Sequence, residues 1–372
     1  MKKTFFILGG YGNTGRLIAE LLLVETKVQL VLAGRNLKKA QAQTQLFNRK
    51  FQGNRVSAWQ VNAADFNSLK NAFALVDFVI VASSTTAYVE NVAKAALATG
   101  IDYLDTQIST IDKIKTLRSL QGDITQAGCC FITDGGFHPG IPAMLIRYAI
   151  PYFDRIDTAN VASIMQLNWK KLSFSEATLT EFVKELNNYQ PFVWQEKWVK
   201  RGWDGYKKFN FGTVFGKRDC VPMFMEELRT LPNTIPSLKK MGFFMAGFNK
   251  FTDYVVMPTT LTLLNLSSNT AKPLGKLFRW SVNTFSKPPY GLVIMLEASG
   301  FKDGKPLNLQ IKLLHDDPYF LTAVPVVACL LQYIDGDINK PGLWYQANVV
   351  NPKRMLSDIE GLGIMVEIKE KL

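Results

Sequence analysis

Residues 2–22 read KKTFFILGGYGNTGRLIAELL, and residues 29–36 read QLVLAGRN. In the first stretch a short apolar run, Thr4–Leu8, meets a dense set of glycines. An apolar face of helical spacing follows, with Leu17, Ile18, Leu21 and Leu22. Gly10-Tyr11-Gly12-Asn13-Thr14-Gly15 is thus a G-x-G-x-x-G turn between a strand and a helix, the context in which this spacing reads as dinucleotide-binding. Gly10 permits a tight turn, Gly12 lets pyrophosphate approach the backbone, and Gly15 lets helix and strand pack closely. The helix start then offers free N–H groups and a positive dipole end to phosphate. A glycine-rich turn without a ligand is the competing reading, and the flanking strand and helix disfavour it.

The second stretch, read as a strand over Val28–Ala33, ends in Gly34-Arg35-Asn36 rather than in an acid. An acid there would bind the ribose 2′-hydroxyl of NAD, and it would repel a 2′-phosphate. A guanidinium fork accommodates that phosphate. Arg35, with Asn36 beside it, therefore points to NADP(H) in preference to NAD, and Arg16 is a second phosphate contact. Asp65 is expected to cap a helix, with a place near the adenine as the alternative. Ser83, Ser84 and Thr85 follow a strand at the sheet edge where open α/β folds place ligands, and are expected near the nicotinamide end.

Further strands are read at Val56–Trp59, Phe78–Ala82, Tyr103–Leu104 and Cys129–Asp134. Helices are read at Leu37–Phe47, Asp65–Ala74, from about Thr86 to Thr99, and over about Thr110–Ala127. This alternation predicts a Rossmann-type parallel sheet covered on both faces. The chain has 372 residues, enough for two domains. We expect a dinucleotide-binding domain over 1–138 and a substrate and dimerisation domain over 139–320. A returning helix and C-terminal segment over 321–372 would complete the fold.

Composition narrows the function class. The net charge of +12 is spread, with 16 basic against 10 acidic side chains in residues 1–149 and 27 against 21 in the rest. It suits a phosphorylated small molecule, an anionic membrane or nucleic acid, and does not choose among them. Cys129, Cys130, Cys220 and Cys329 lack metal spacing. Free thiols in a reducing, cytoplasmic compartment follow. Two histidines, His138 and His315, do not build a histidine-rich zinc site, and no metal is expected. The N-terminal apolar run reaches Gly9 too early for a signal peptide and reads as a buried strand.

Several pieces, in order, resemble one family. They are GGYGNTGR (9–16), LAGRN (32–36), ASSTTAY (82–88), AALATGIDYLDTQIS (95–109) and DGGFHPGIPAMLIRYAI (134–150). Farther on come KPPYGLVIMLEASGFKDGK (287–305) and YFLTAVPVVACLLQYIDGDINKPGLWYQANVVNP (319–352). The chain resembles the saccharopine dehydrogenase-like oxidoreductases as a divergent member. The resemblance is good over 1–150, fair over about 284–372 and faint between. It implies an NAD(P)-binding domain with an inserted substrate domain, and substrates ranging from amino-acid conjugates to lipids. His138 stands where that family commonly has Asp, so the role of that acid does not carry over.

In the second half, helices are read at Ile141–Ile150 and Thr322–Ile334, the latter with Pro325 in its first turn. Strands are read at Arg155–Leu167, Gly291–Gly300 and Leu307–Leu314, the last two joined at Asp303-Gly304. This predicts a second α+β domain with a largely antiparallel sheet. Trp194, Trp198, Trp203 and Tyr206 among lysines suit an amphipathic strand and turn better than nucleic acid. The apolar stretch 241–266 is interrupted by Lys250, Asp253 and Pro258, too often for a membrane span. It is read as a buried helix at a homodimer interface, with peripheral membrane contact as the alternative.

For chemistry, His138 is the first candidate acid or base, because its ordinary pKa lies near neutrality. Tyr103 and Asp105 are further candidates at a strand end, with Asp134 nearby. The resulting expectation is an NADP(H)-dependent oxidoreductase. It would move a hydride to or from a small-molecule C=N, C=O or activated C=C, lipid-like or derived from an amino acid. A catalytically lapsed NADP-binding regulatory or scaffold protein and a membrane-surface lipid reductase are the alternatives.

Overall fold

The structure, a computed structural model, describes residues 3–172, 179–180, 183, 190–201, 205–267 and 270–371. Trp203 lies outside them. The chain forms two compact units. One comprises 1–144 and 319–363, the other 145–318 and 364–372.

In the first unit, β1 (Thr4–Leu8), β2 (Gln29–Gly34), β3 (Val56–Gln60), β4 (Phe78–Val81), β5 (Asp102–Asp105) and β6 (Cys130–Thr133) pair in parallel. The order is β6-β5-β4-β1-β2-β3. These are the six strands read from sequence. A seventh, Gly342–Tyr345, adds beside β6 in parallel where only a turn was expected at Pro341-Gly342. Four residues at a sheet edge, three of them partly exposed, leave little pattern to read.

Both faces of this sheet are buried. Phe6, Leu8, Val79, Val81, Tyr103 and Phe131 share one core with Leu69, Phe73, Val92 and Leu117 from the helices. On the other face Phe78 lies 4.7 Å from the Tyr333 ring, on the helix Pro318–Ile334. That helix starts four residues before its expected Thr322, so Pro325 sits in its interior. There it removes the N–H that would bond the Leu321 carbonyl. Leu321 and Val324 to Leu330 are buried, and this packing outweighs the lost bond. The single helix expected over Thr110–Ala127 is two, Ile111–Ser119 and Gln121–Gln126, divided at Leu120.

The second unit is built on a nine-stranded sheet. Its long central strands, Arg155–Gln166 and Gly291–Lys302, pair antiparallel over their length. The hairpin to Lys305–His315 turns at Asp303 (φ 49°) and Gly304 (φ 70°), two left-handed residues as Asp-Gly predicts. The stretch 241–266 is not one helix. Lys240–Ala246 is a strand paired in parallel with Arg155–Gln166, the one parallel pair among the described strands of a largely antiparallel sheet. A strand buried on both faces reads as a continuous apolar run, which periodicity does not separate from a buried helix. The helix proper is Met257–Leu266, preceded by a π-helical turn at Thr252–Val256.

Candidate cofactor site

The first helix, α1 (Asn13–Glu25), starts directly behind β1. The turn between them is fixed by contacts no side chain would allow. Gly9 has φ +89°, and a Cβ there would lie 2.5 Å from the Ala82 carbonyl oxygen. A Cβ on Gly15 would overlap the Gly9 carbonyl oxygen. The Gly12 N–H donates to that same carbonyl at 2.8 Å. Gly9, Gly12 and Gly15 therefore form the turn, while Gly10 packs against Leu32. The left-handed residue is Gly9, directly before the motif. Gly12 is the N-cap of α1, with no side chain to accept from the helix. The first turn of α1, from Asn13 to Gly15, consequently starts without a capping side chain, as an anion site at a helix start requires. Arg16 is exposed on that turn.

Tyr11 ties this turn to the end of β2. Its hydroxyl accepts from the Asn36 N–H at 3.1 Å, and its ring covers Gly34 so closely that a Cβ there would lie 2.6 Å from the hydroxyl. Asn36 caps the helix Leu37–Lys50, its Oδ1 accepting from Lys39 N–H at 3.0 Å. Arg35 is held by its backbone, since Gln60 Nε2 donates to its carbonyl at 3.2 Å. Its side chain is exposed and lines an open pocket of about 470 Å³ together with Gln60, Val61, Asn62 and Ser68. Asp65 caps the helix Phe66–Phe73, accepting from Ser68 N–H at 3.1 Å. Gln60 and Asn62 were missed from sequence. Their position at the end of β3, beside the end of β2, was the available signal.

Ser83 lies behind the glycine turn, its Cβ 2.8 Å from where a Gly9 Cβ would be. Its hydroxyl and that of Thr85 are 3.0 Å apart, and Gln107 Nε2 reaches the Ser83 carbonyl at 3.3 Å and Thr85 Oγ1 at 3.0 Å. Ser84 is exposed.

Gln107 leads into a buried ionic cluster. Asp105, Lys113, Asp134 and Tyr103 have at most 1% of their surface exposed. Lys113 Nζ donates to Asp105 Oδ1 at 2.8 Å, Asp134 Oδ1 at 2.7 Å and the Gln107 carbonyl at 3.0 Å. The second Asp105 oxygen accepts from Tyr103 at 3.1 Å and Thr133 at 2.7 Å. Burial pushes Asp134 up, against the opposing pull of Lys113. Burial alone would lower Lys113, but the two carboxylates together raise it. Burial and then Asp105 drive Tyr103 well above the usual phenol range. Tyr103 and Asp105 thus hold no surface that a ligand reaches. Lys113, the centre of the cluster, carries no sequence signal beyond a lysine near a helix start.

His138 stands in the turn after β6, its ring 3.8 Å from that of Phe137. Gln346 pins this turn, donating to the Gly136 carbonyl at 3.1 Å and the Gly140 carbonyl at 3.4 Å. Desolvation lowers the His138 pKa to about 4, so the imidazole is neutral at neutral pH. The four cysteines are buried free thiols, and burial pushes Cys130 to about 12. Among the described residues no group of three His, Cys, Asp or Glu side chains is gathered for a metal. No described helix is long and apolar enough to cross a membrane.

Residues 5–132 match the family model described as the saccharopine dehydrogenase NADP binding domain. No curated protein matches the sequence. Among solved structures, the chain is similar to apo histidine-tagged saccharopine dehydrogenase (L-Glu forming) from Saccharomyces cerevisiae, at 15% identity and TM-score 0.71 over 100% of both chains. It is also similar to GenD2 from gentamicin A biosynthesis in complex with NAD, at 13% identity and TM-score 0.46, covering 97% of this chain and 92% of that one. That likeness is too loose to carry an argument. Residues 5–132 thus resemble the saccharopine dehydrogenase NADP-binding domain, and the chain shares the fold of saccharopine dehydrogenase at low sequence identity.

Proposed function

We propose that the protein is an NADP(H)-dependent oxidoreductase of the saccharopine dehydrogenase-like type. The observation that carries this reading is an uncapped helix start, crossed by side-chain-free Gly9, Gly12 and Gly15, next to a pocket lined by Arg35. These residues fit a dinucleotide. The first-turn N–H groups of α1 would hold the pyrophosphate, and Arg16 would add charge to it. Arg35 would pair with the 2′-phosphate, with Gln60, Asn62 and Ser68 lining the same space. Asp65 and the Asn36 side chain act as caps for the helices that shape this corner. When bound, the nicotinamide supplies or takes up the hydride.

The substrate is a small molecule with a C=N, C=O or activated C=C bond. With its pKa lowered to about 4, His138 is neutral and only a weak base at neutral pH, so in a reduction the proton would come from water. A second reading, an NADP-binding protein whose catalysis has lapsed, draws on the sealing of Tyr103 and Asp105. Single-turnover oxidation of bound NADPH against panels of imines, ketones, lipid enones and amino-acid conjugates separates the two. Consumption with any class supports the enzyme, and tight binding with no consumption across the panel supports the lapsed form.

A further inference from the structure

Strand order decides which half of a dinucleotide meets which part of the sheet edge. On one side of β1 stand β2 and β3, and on the other β4 and then β5. A dinucleotide with its pyrophosphate at the glycine turn and its 2′-phosphate at Arg35 lays its adenosine half over the ends of β2 and β3. Its nicotinamide half then extends over the ends of β4 and β5. Ser83 and Thr85 follow β4 there, and Gln107 follows β5. The loop after β4 is packed against the turn itself, since a Cβ on Gly9 would meet both the Ala82 carbonyl and Ser83 Cβ.

Gln107 is 5% exposed and is held by its backbone. Its N–H donates to Asp105 Oδ1 at 3.1 Å, and its carbonyl accepts from Lys113 Nζ at 3.0 Å. From that anchored position the side chain reaches across to the neighbouring loop. Nε2 donates to the Ser83 carbonyl at 3.3 Å and to Thr85 Oγ1 at 3.0 Å. The fold gains little from this amide. Ser83 and Thr85 are half-buried, where one more hydrogen bond adds little stability. Gln107 Oε1, on the other hand, is buried and finds no partner among the described residues, which weakens the fold. What the side chain does secure is the position of Ser83 and Thr85 relative to the end of β5.

We propose that Gln107 is a positioning residue for the nicotinamide half of NADP(H), its amide fixing the Ser83–Thr85 loop against which that half lies. The proposal rests on the NADP(H) reading and adds the residue that orients the reacting end of the cofactor. The adenosine half, held at Arg35 on the other side of β1, does not depend on it.

The test is calorimetric titration of the full chain with NADPH and with adenosine 2′,5′-bisphosphate, which carries the adenosine and 2′-phosphate alone. Gln107→Met and Gln107→Leu fill the same space without a donor for Ser83 or Thr85. In each, NADPH should bind on the order of tenfold more weakly, the size of one hydrogen bond's contribution. Affinity for the bisphosphate should stay at the native value, which also shows that the variants are folded. The fluorescence of bound NADPH reads the reduced nicotinamide alone, and at saturation it should differ between the native protein and both variants. Loss of both ligands together, or of neither, overturns the proposal and leaves the cofactor reading in place. A native protein that fails to bind the bisphosphate, or binds it equally well as Arg35→Ala, overturns the cofactor reading and the proposal with it.

Discussion

At the ends of β1 and β2 the chain leaves a helix start uncapped and side chains exposed, whereas at the ends of β5 and β6 it buries its polar groups. The first region has an uncapped helix start and an open pocket beside Arg35. The second has Lys113 bonded to two carboxylates and a carbonyl, with Tyr103 and Thr133 closing the remaining Asp105 oxygen. Both lie along one edge of one parallel sheet. Their difference separates binding from support, since donors left unsatisfied by the protein are available to a ligand and donors consumed inside hold the backbone that presents them. Gln107 joins the regions, with its backbone N–H on Asp105 and its amide on Ser83 and Thr85.

The largest expected effect comes from breaking the closed region. Lys113→Met leaves Asp105 and Asp134 buried without their cation, and should cost about 3–5 kcal/mol of stability. Urea unfolding measures this, and a loss below about 1 kcal/mol would place the cluster in contact with water. The same group sets the alkaline limit. Lys113 has its folded pKa raised above 10.5, so its contribution is complete below that value and is lost as pH rises through the raised one. Asp134, raised above 3.8, acts in the same direction at lower pH, with stability falling as pH climbs from 3.8 through its raised value. Urea midpoints taken from about pH 8 to about pH 11 should fall more steeply for the native protein than for Lys113→Met.

In the open region, Gly15→Ala drives a methyl into the Gly9 carbonyl. It should cost about 1–3 kcal/mol and abolish NADPH binding, read by calorimetry. Retained affinity would show that the turn yields without closing the phosphate site. Tyr333→Phe is milder. The Tyr333 hydroxyl donates to Asp102 at 2.6 Å and ties the helix Pro318–Ile334 to β5. Its loss should cost about 1.5 kcal/mol in a thermal melt and leave cofactor affinity unchanged.

The same contrast explains what the sequence made legible. The glycine turn is a local motif, with Gly9 to Gly15 within seven residues, and it was readable at once apart from which glycine takes the left-handed conformation. Arg35 was readable because the end of a strand of this fold has a fixed relation to the ribose. Lys113 was not, since its partners are 8 and 21 residues away and only the folded sheet brings them together. Tyr103 and Asp105 were picked for their chemistry, and burial, which spacing does not reveal, seals them. In the second unit, Lys240–Ala246 was hidden in an apolar run because a strand buried on both faces lacks the alternation that would distinguish it from a helix.

The most direct test of the cofactor reading is a titration of the protein and of Arg35→Ala with NADPH and NADH in one buffer, followed by tryptophan quenching. The account predicts NADPH binding at least about tenfold tighter than NADH, a difference of about 1.4 kcal/mol, with the gap lost in Arg35→Ala. Equal affinities in the native protein, or a preference that survives Arg35→Ala, would contradict it.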